Sequence, residues 1–206
     1  LKRAGRDAFI ILERAADVGG TWRDNHYPGI ACDVPSHLYS YSYLPNPDWS
    51  RVFSPGGGIQ AYIRKCAEDE NILPHIRFNT DMLKSTWDEA ARRWTIETSQ
   101  GSYSAKIVIT GTGHLADGHM PQIEGLDSFT GEVFHSADWD HSVDLDGKRI
   151  GVVGSGASAI QIVPEMQKRA SELVVFQRSA PYMVPRWDRA YSEGERRLCR
   201  RDPSVI

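Results

Sequence analysis

The sequence predicts an α/β fold: two linked dinucleotide-binding domains, each on a parallel sheet and each incomplete. Three observations predict it. Apolar runs at Ala8–Leu12, Arg149–Val153 and Leu173–Phe176 read as strands buried on both faces, as strands of a parallel sheet are. Helical patterns alternate with them, at Gly58–Asp69 and Ala157–Lys168. Two of the strands end as nucleotide-binding strands end, one in an acid at Glu13 and one in a glycine turn at Gly154.

The elements follow in order. Ala8–Leu12 is apolar and bounded by charge. A stretch rich in Gly, Pro, Asn, Ser and aromatic residues then runs to about Pro55. It is too long for a plain connection, so it is expected to carry function. Gly58–Asp69 places Ile59, Tyr62, Ile63 and Cys66 on one helical face. Strand patterns follow at Ile76–Phe78, Met82–Trp87 and Trp94–Thr98, with Asp88–Arg93 as the turn between the last two. Tyr103 marks a short strand and Ala105–Thr110 a buried one. Arg149–Val153, Ala157–Lys168 and Leu173–Phe176 complete a strand–helix–strand unit. There are no internal repeats or low-complexity tracts.

Composition excludes several classes. Of 206 residues, 40% are hydrophobic and 25% charged, ordinary for a globular protein. A net charge of −3 gives no electrostatic case for nucleic acid or an anionic membrane. No apolar run approaches a membrane span, and no leader is visible, so the expected setting is cytoplasmic. Cys32, Cys66 and Cys199 are too few and too scattered for a disulfide framework or a zinc site. The first residue is Leu rather than Met, and the last stretch is polar, so the chain is expected to be a piece of a longer protein.

The most informative motif is Gly154-Ser155-Gly156-Ala157-Ser158-Ala159, between a strand and a helix. Gly154 makes a tight turn, Gly156 lets the backbone approach a pyrophosphate, and Ala159 permits close helix–strand packing. The free N–H groups of the helix start point at the phosphates. The acid expected about 20 residues later, for a ribose hydroxyl, is absent. Gln177-Arg178-Ser179 stands at that strand end instead, and a guanidinium there pairs with a 2′-phosphate. The pattern therefore selects NADPH over NADH. The plain alternative is a surface arginine after a core strand.

A second motif is Gly19-Gly20-Thr21-Trp22 through Tyr27-Pro28-Gly29-Ile30-Ala31-Cys32-Asp33. Trp22 and Tyr39 offer flat faces suited to covering a ring system. Asp33 offers a carboxylate expected in an apolar, aromatic setting. The alternative is a packed surface loop with a core tryptophan.

This second motif resembles the G-G-x-W-x(4)-Y-P-G-x(2)-C-D signature of the Baeyer–Villiger and related flavin monooxygenases. Phe129-x-Gly131-x(3)-His135-x(3)-Trp139-Asp140 resembles their F-x-G-x(3)-H-x(3)-W-(P/D) fingerprint. Ile109-Thr110-Gly111-Thr112-Gly113-His114-Leu115 and Pro121–Leu126 resemble their interdomain linker. The likeness runs from Phe9 to Arg186. It implies two Rossmann-like, three-layer domains: FAD-binding over 1–115, a linker over 116–145, and NADP-binding over 146–206. It implies FAD contacts at Glu13, Gly20, Thr21, Trp22, Asp33, Tyr39 and Met82. NADPH contacts fall at Gly154 to Ala159 and at Gln177, Arg178 and Ser179. Asp33 is placed beside flavin and nicotinamide, and His135 at the linker, where it couples domain movement to catalysis. The implied reaction uses NADPH and O2 to insert one oxygen next to a ketone carbonyl, giving an ester or lactone. Trp139-Asp140 favours this over oxidation of an amine or sulfide.

Two of the family's elements are absent. Its first glycine turn, which holds the FAD pyrophosphate, maps before Leu1, and its flavin-side arginine maps beyond Ile206. Arg186 is therefore read as a loop arginine near the nucleotide, or as surface charge. A catalytically incomplete chain is the remaining alternative.

Overall fold

The computed structural model describes residues 1–113 and 115–205. His114, in the linker-like segment, and Ile206 lie outside the described residues. The fold is mixed α/β and divides into two compact units. One comprises Leu1–Gly20 with the described part of Ile63–His114; the other comprises Thr21–Tyr62 with the described part of Leu115–Ile206. This division cuts across the expected boundaries, because residues 21–62 pack with the C-terminal part of the chain.

In the first unit, β1 (Ile11–Leu12) pairs in parallel with β2 (Ile76–Arg77). The pairing is extended where Glu13 N–H donates to Arg77 O at 3.0 Å and Thr80 N–H donates to Glu13 O at 2.9 Å. The expected strand at Ala8–Leu12 is thus shorter, and Ile10 and Ile11 remain exposed. β3 (Met82–Asp88), β4 (Arg93–Thr98) and β5 (Gly101–Ala105) form an antiparallel sheet in that order. The turn between β3 and β4 arises as its sequence requires. The Asp88 carboxylate accepts from Ala91 N–H at 2.9 Å, and Arg92 takes a left-handed φ of 49°. Trp87 and Trp94 stand directly opposite each other, their rings 5.5 Å apart.

The buried strand expected at Ala105–Thr110 does not form. β5 stops at Ala105, and Ile107 and Ile109 are 76% and 79% exposed. A strand needs a neighbour for its backbone groups. Among the described residues nothing pairs with this run.

In the second unit, α1 (Thr21–Asp24) is a single turn. α2 (Gly56–Asp69) belongs to this unit as far as Tyr62 and to the first from Ile63 on, and it buries Ile59, Tyr62 and Cys66, as the helical period requires. β6 (Arg149–Val153) leads through Gly154 into α3 (Ala157–Gln167), and the chain returns as β7 (Glu172–Phe176), parallel to β6. α4 (Glu193–Arg201) follows. One face of β6 and β7, through Ile150 and Leu173, packs against a core of Tyr27, Ile162 and Met166, joined by Ile30, Trp139 and Leu145. The strands are not buried on both faces as expected. Val153, Val174, Val175 and Phe176 are exposed, because no layer covers their other side among the described residues.

α4 is set by a complete capping box. Ser192 Oγ accepts from Glu195 N–H at 3.2 Å, and the Glu195 carboxylate accepts from Ser192 N–H at 2.8 Å. The Arg189 guanidinium and then Ser192 hold the Glu195 carboxyl at about 2, below its ordinary 4.5. A lowered carboxyl contributes stability above its unfolded value and loses it as pH falls through the folded one. The difference in unfolding midpoint between wild type and Glu195→Gln is therefore expected to be full at neutral pH and to shrink between 4.5 and about 2. Met166 is fully buried, so Met166→Ala is expected to cost about 2–5 kcal/mol in urea unfolding.

Candidate functional site

The nucleotide turn has the geometry its glycines predict. Gly154 has φ +106°, a conformation that L side chains rarely adopt, and its N–H donates to Phe176 O at 2.9 Å. Gly156 is the N-cap of α3 and no side chain caps the helix there. A Cβ on either glycine would meet no atom within 4 Å, so this backbone is open to close approach by a ligand. An uncapped helix start with open backbone in front of it suits an anion. Ser155 Oγ donates to Ser179 O at 3.2 Å, fastening the end of the Gln177-Arg178-Ser179 segment to the turn. Gln177 and Arg178 are exposed, and among the described residues nothing pairs with the Arg178 guanidinium. Ser158 and Ala159 are half-buried in the first turn of α3, and Ala157 is exposed.

The aromatic pair also forms. Trp22 Nε1 donates to Tyr39 Oη at 3.0 Å, and the rings meet edge to face at 5.5 Å. Thr21 opens α1 beside Trp22. Asp33 departs from expectation, since its side chain is exposed rather than enclosed by apolar rings. The buried residue of that motif is its neighbour Cys32, whose thiol burial pushes upward in pKa.

The remaining residues of the second motif do something the sequence did not announce: they dock on α3. Gln161 Nε2 donates to Ala31 O at 2.8 Å, and its Oε1 accepts from Ala31 N–H at 3.3 Å and from the Tyr27 hydroxyl at 3.2 Å. Gly29, at φ +84°, lies so close that a Cβ would come within 2.6 Å of Gln161 O. Arg186 is more than surface charge: Nη1 donates to Cys32 O at 3.3 Å and the guanidinium lies over the Phe53 ring. Asp188 accepts from Arg51 Nε at 2.8 Å and from Phe53 N–H at 3.2 Å. Gln161 and Asp188 are the residues sequence reasoning missed, as is the docking role of Tyr27 and Gly29. The one available signal was a polar Gln on the otherwise apolar Ile160–Val163 stretch of the helix.

Each fixed residue of the Phe129–Asp140 stretch has a local task. The Phe129 ring lies over Gly131, where a Cβ would meet it at 2.6 Å. His135 caps the short turn Ser136–Asp138 by accepting from Ala137 N–H at 3.1 Å. Trp139 meets Phe134 edge to face and packs on the core. The Asp140 carboxylate accepts from Ser142 Oγ and N–H, which lower its pKa. His135 is thereby a capping residue. His26 and His141 ring nitrogens share a hydrogen bond at 2.9 Å, a further tie to this stretch.

In the first unit, Glu13 is half-buried just beyond β1, and its carboxylate accepts from Ala15 N–H at 2.9 Å. Gly20 ends this unit's first segment. Met82 opens β3 at a register shift beside Lys84. Among the described residues no three or more His, Cys, Asp or Glu side chains are grouped to hold a metal, and no helix is long and apolar enough to cross a membrane.

Comparison with known proteins accords with these features. The chain is 51% identical to a Baeyer–Villiger monooxygenase of Streptomyces coelicolor, covering all of this chain and 40% of that protein. It is 48% identical to a Baeyer–Villiger monooxygenase of Pseudomonas aeruginosa, covering 39% of it. Among solved structures it superposes on OTEMO in complex with FAD and NADP with a TM-score of 0.90 at 33% identity, covering 99% of this chain and 41% of that one. An oxidized steroid monooxygenase bound to NADP gives a TM-score of 0.85 at 37% identity, covering 95% of this chain and 39% of that one. The chain thus spans about 40% of the length of these relatives. The family described as Flavin-binding monooxygenase-like matches residues 8–196, and the chain belongs to that family.

Proposed function

We propose that this chain forms the dinucleotide-binding part of a FAD- and NADPH-dependent monooxygenase of the Baeyer–Villiger type. The reaction inserts one oxygen atom of O2 next to a ketone carbonyl, giving an ester or lactone. The observation that carries the reading is the Gly154 turn: open backbone, an uncapped helix start, and an arginine segment fastened beside it by Ser155. Identity of about half over the whole chain to two Baeyer–Villiger monooxygenases supports the reaction type.

In this reading Gly154 to Ala159 hold the pyrophosphate of NADPH, with backbone N–H groups donating to it. Arg178 pairs with the 2′-phosphate, and Gln177 and Ser179 flank it. Glu13 binds the ribose of FAD. The family resemblance assigns Gly20, Thr21, Trp22, Asp33, Tyr39 and Met82 to FAD. FAD, when bound, supplies the hydride acceptor and the site of O2 activation, which side chains cannot. The chain's own part is to bind, orient and exclude water. Trp22 and Tyr39 are fixed to each other edge to face, so each ring is held in place by the other. The exposure of Asp33 suits a carboxylate that receives a partner. His135 holds the turn between the two nucleotide sites rather than moving a proton. The functional division runs 1–115 for FAD, 116–145 for the linker and 146–206 for NADP(H), supported by motif order and not by compactness. Dioxygen and a small ketone are the partners.

Arg178→Ala is expected to weaken NADP⁺ binding by about tenfold or more, as loss of a charge-assisted pair does, and to leave NAD⁺ binding unchanged. Equal affinities before and after, measured by titration with both nucleotides, would remove the 2′-phosphate assignment. Product analysis with a ketone and a sulfide tests the reaction. Ester or lactone is the expected product, and sulfoxide without ester would assign the protein to the heteroatom-oxidising branch.

A further inference from the structure

We infer that Gln161 is a positioning residue that ties the segment Tyr27–Asp33 to occupancy of the nucleotide turn. The inference rests on the reading of Gly154 to Ser179 as an NADP(H) site. α3 begins directly after Gly156, so a ligand at the turn meets the first N–H groups of that helix. Gln161 sits on the same helix, about 7 Å further along its axis at 1.5 Å per residue. Its amide satisfies both backbone groups of Ala31, as a strand neighbour would, and accepts from Tyr27 as well. Asp33 follows two residues later. Tyr27 and Ile162 share one buried cluster, and Gly29 rests on the α3 backbone itself. Opening of the Tyr27–Asp33 segment therefore requires breaking the Gln161 bonds.

An anion at the start of a helix favours the helical state of its first turns. A firmer α3 holds the Gln161 amide in register, so the segment bearing Asp33 opens less often when nucleotide is bound. Linkage makes the effect reciprocal, since holding the segment closed strengthens nucleotide binding by the same factor. The side chain needs a donor and an acceptor at one tip, which among residues of this length only Gln provides without charge.

The test is hydrogen exchange of the 206-residue chain with and without saturating NADP⁺, for wild type, Gln161→Met and Gln161→Glu, beside direct NADP⁺ titration. Met keeps length and packing but cannot donate and accepts only weakly. Glu keeps the acceptor for Tyr27 and Ala31 N–H but loses the donor to Ala31 O. In wild type, NADP⁺ is expected to slow exchange over 27–33 by about tenfold, within the usual range of site-to-site coupling. Gln161→Met is expected to lose that response and, by the same linkage, to bind NADP⁺ more weakly by up to about tenfold, so its exchange is read at saturating nucleotide. Gln161→Glu is expected to retain part of it. A full response in Gln161→Met, or none in wild type that binds NADP⁺, would overturn the inference. Failure of wild type to bind NADP⁺ in the titration would overturn the nucleotide reading itself, and the coupling with it.

Discussion

The docking of one glycine-containing loop on one helix organises the second unit. Gln161 reaches from α3 to both backbone groups of Ala31, and the Tyr27 ring closes the core with Ile162 and Met166. The loop between Gly19 and Pro55 has almost no regular structure of its own. Its backbone groups are satisfied partly within the loop, Cys32 N–H by Ser54 O and Ser36 N–H by Val52 O, and partly from outside it, Val52 N–H by Arg189 O. A loop of this length keeps a single conformation only where such partners are supplied. Those from outside the loop come from the glycine-turn helix and from the segment around Asp188.

This explains why the nucleotide motif and the loop motif occur on one chain. The glycine turn needs a short helix with its first turn uncapped, and such a helix needs its opposite side buried to be stable. Tyr27 and Trp139 supply that burial. The loop in turn needs a rigid wall on which to fix the residues beside Asp33. Each motif thus completes the other, and the aromatic pair of Trp22 and Tyr39 belongs to the same compact unit.

Much of this was legible in the sequence where the signal was local. The Gly154 turn, the helix beginning at Ala157, the hairpin around Asp88 and the apolar face of Ile59, Tyr62 and Cys66 follow from spacing alone. Family likeness carried the expectation of the reaction type. What was not legible was long-range. Tyr27 and Gly29 looked like part of a ligand loop, yet their partner lies about 130 positions away, at Gln161. Ala105–Thr110 had the composition of a buried strand, but composition does not supply a neighbour, and Ile107 and Ile109 remain exposed. Asp33 was expected among aromatics because Trp22 and Tyr39 flank it in sequence. In space those two face each other, while Cys32 takes the buried place.

The central claim is that Tyr27–Asp33 and α3 form one energetically coupled structure. A double-mutant cycle of Tyr27→Phe and Gln161→Met, read by urea unfolding, measures it directly. The account predicts a coupling of at least about 0.5 kcal/mol, as for residues in one hydrogen-bond network. Additivity to within roughly 0.3 kcal/mol would contradict it.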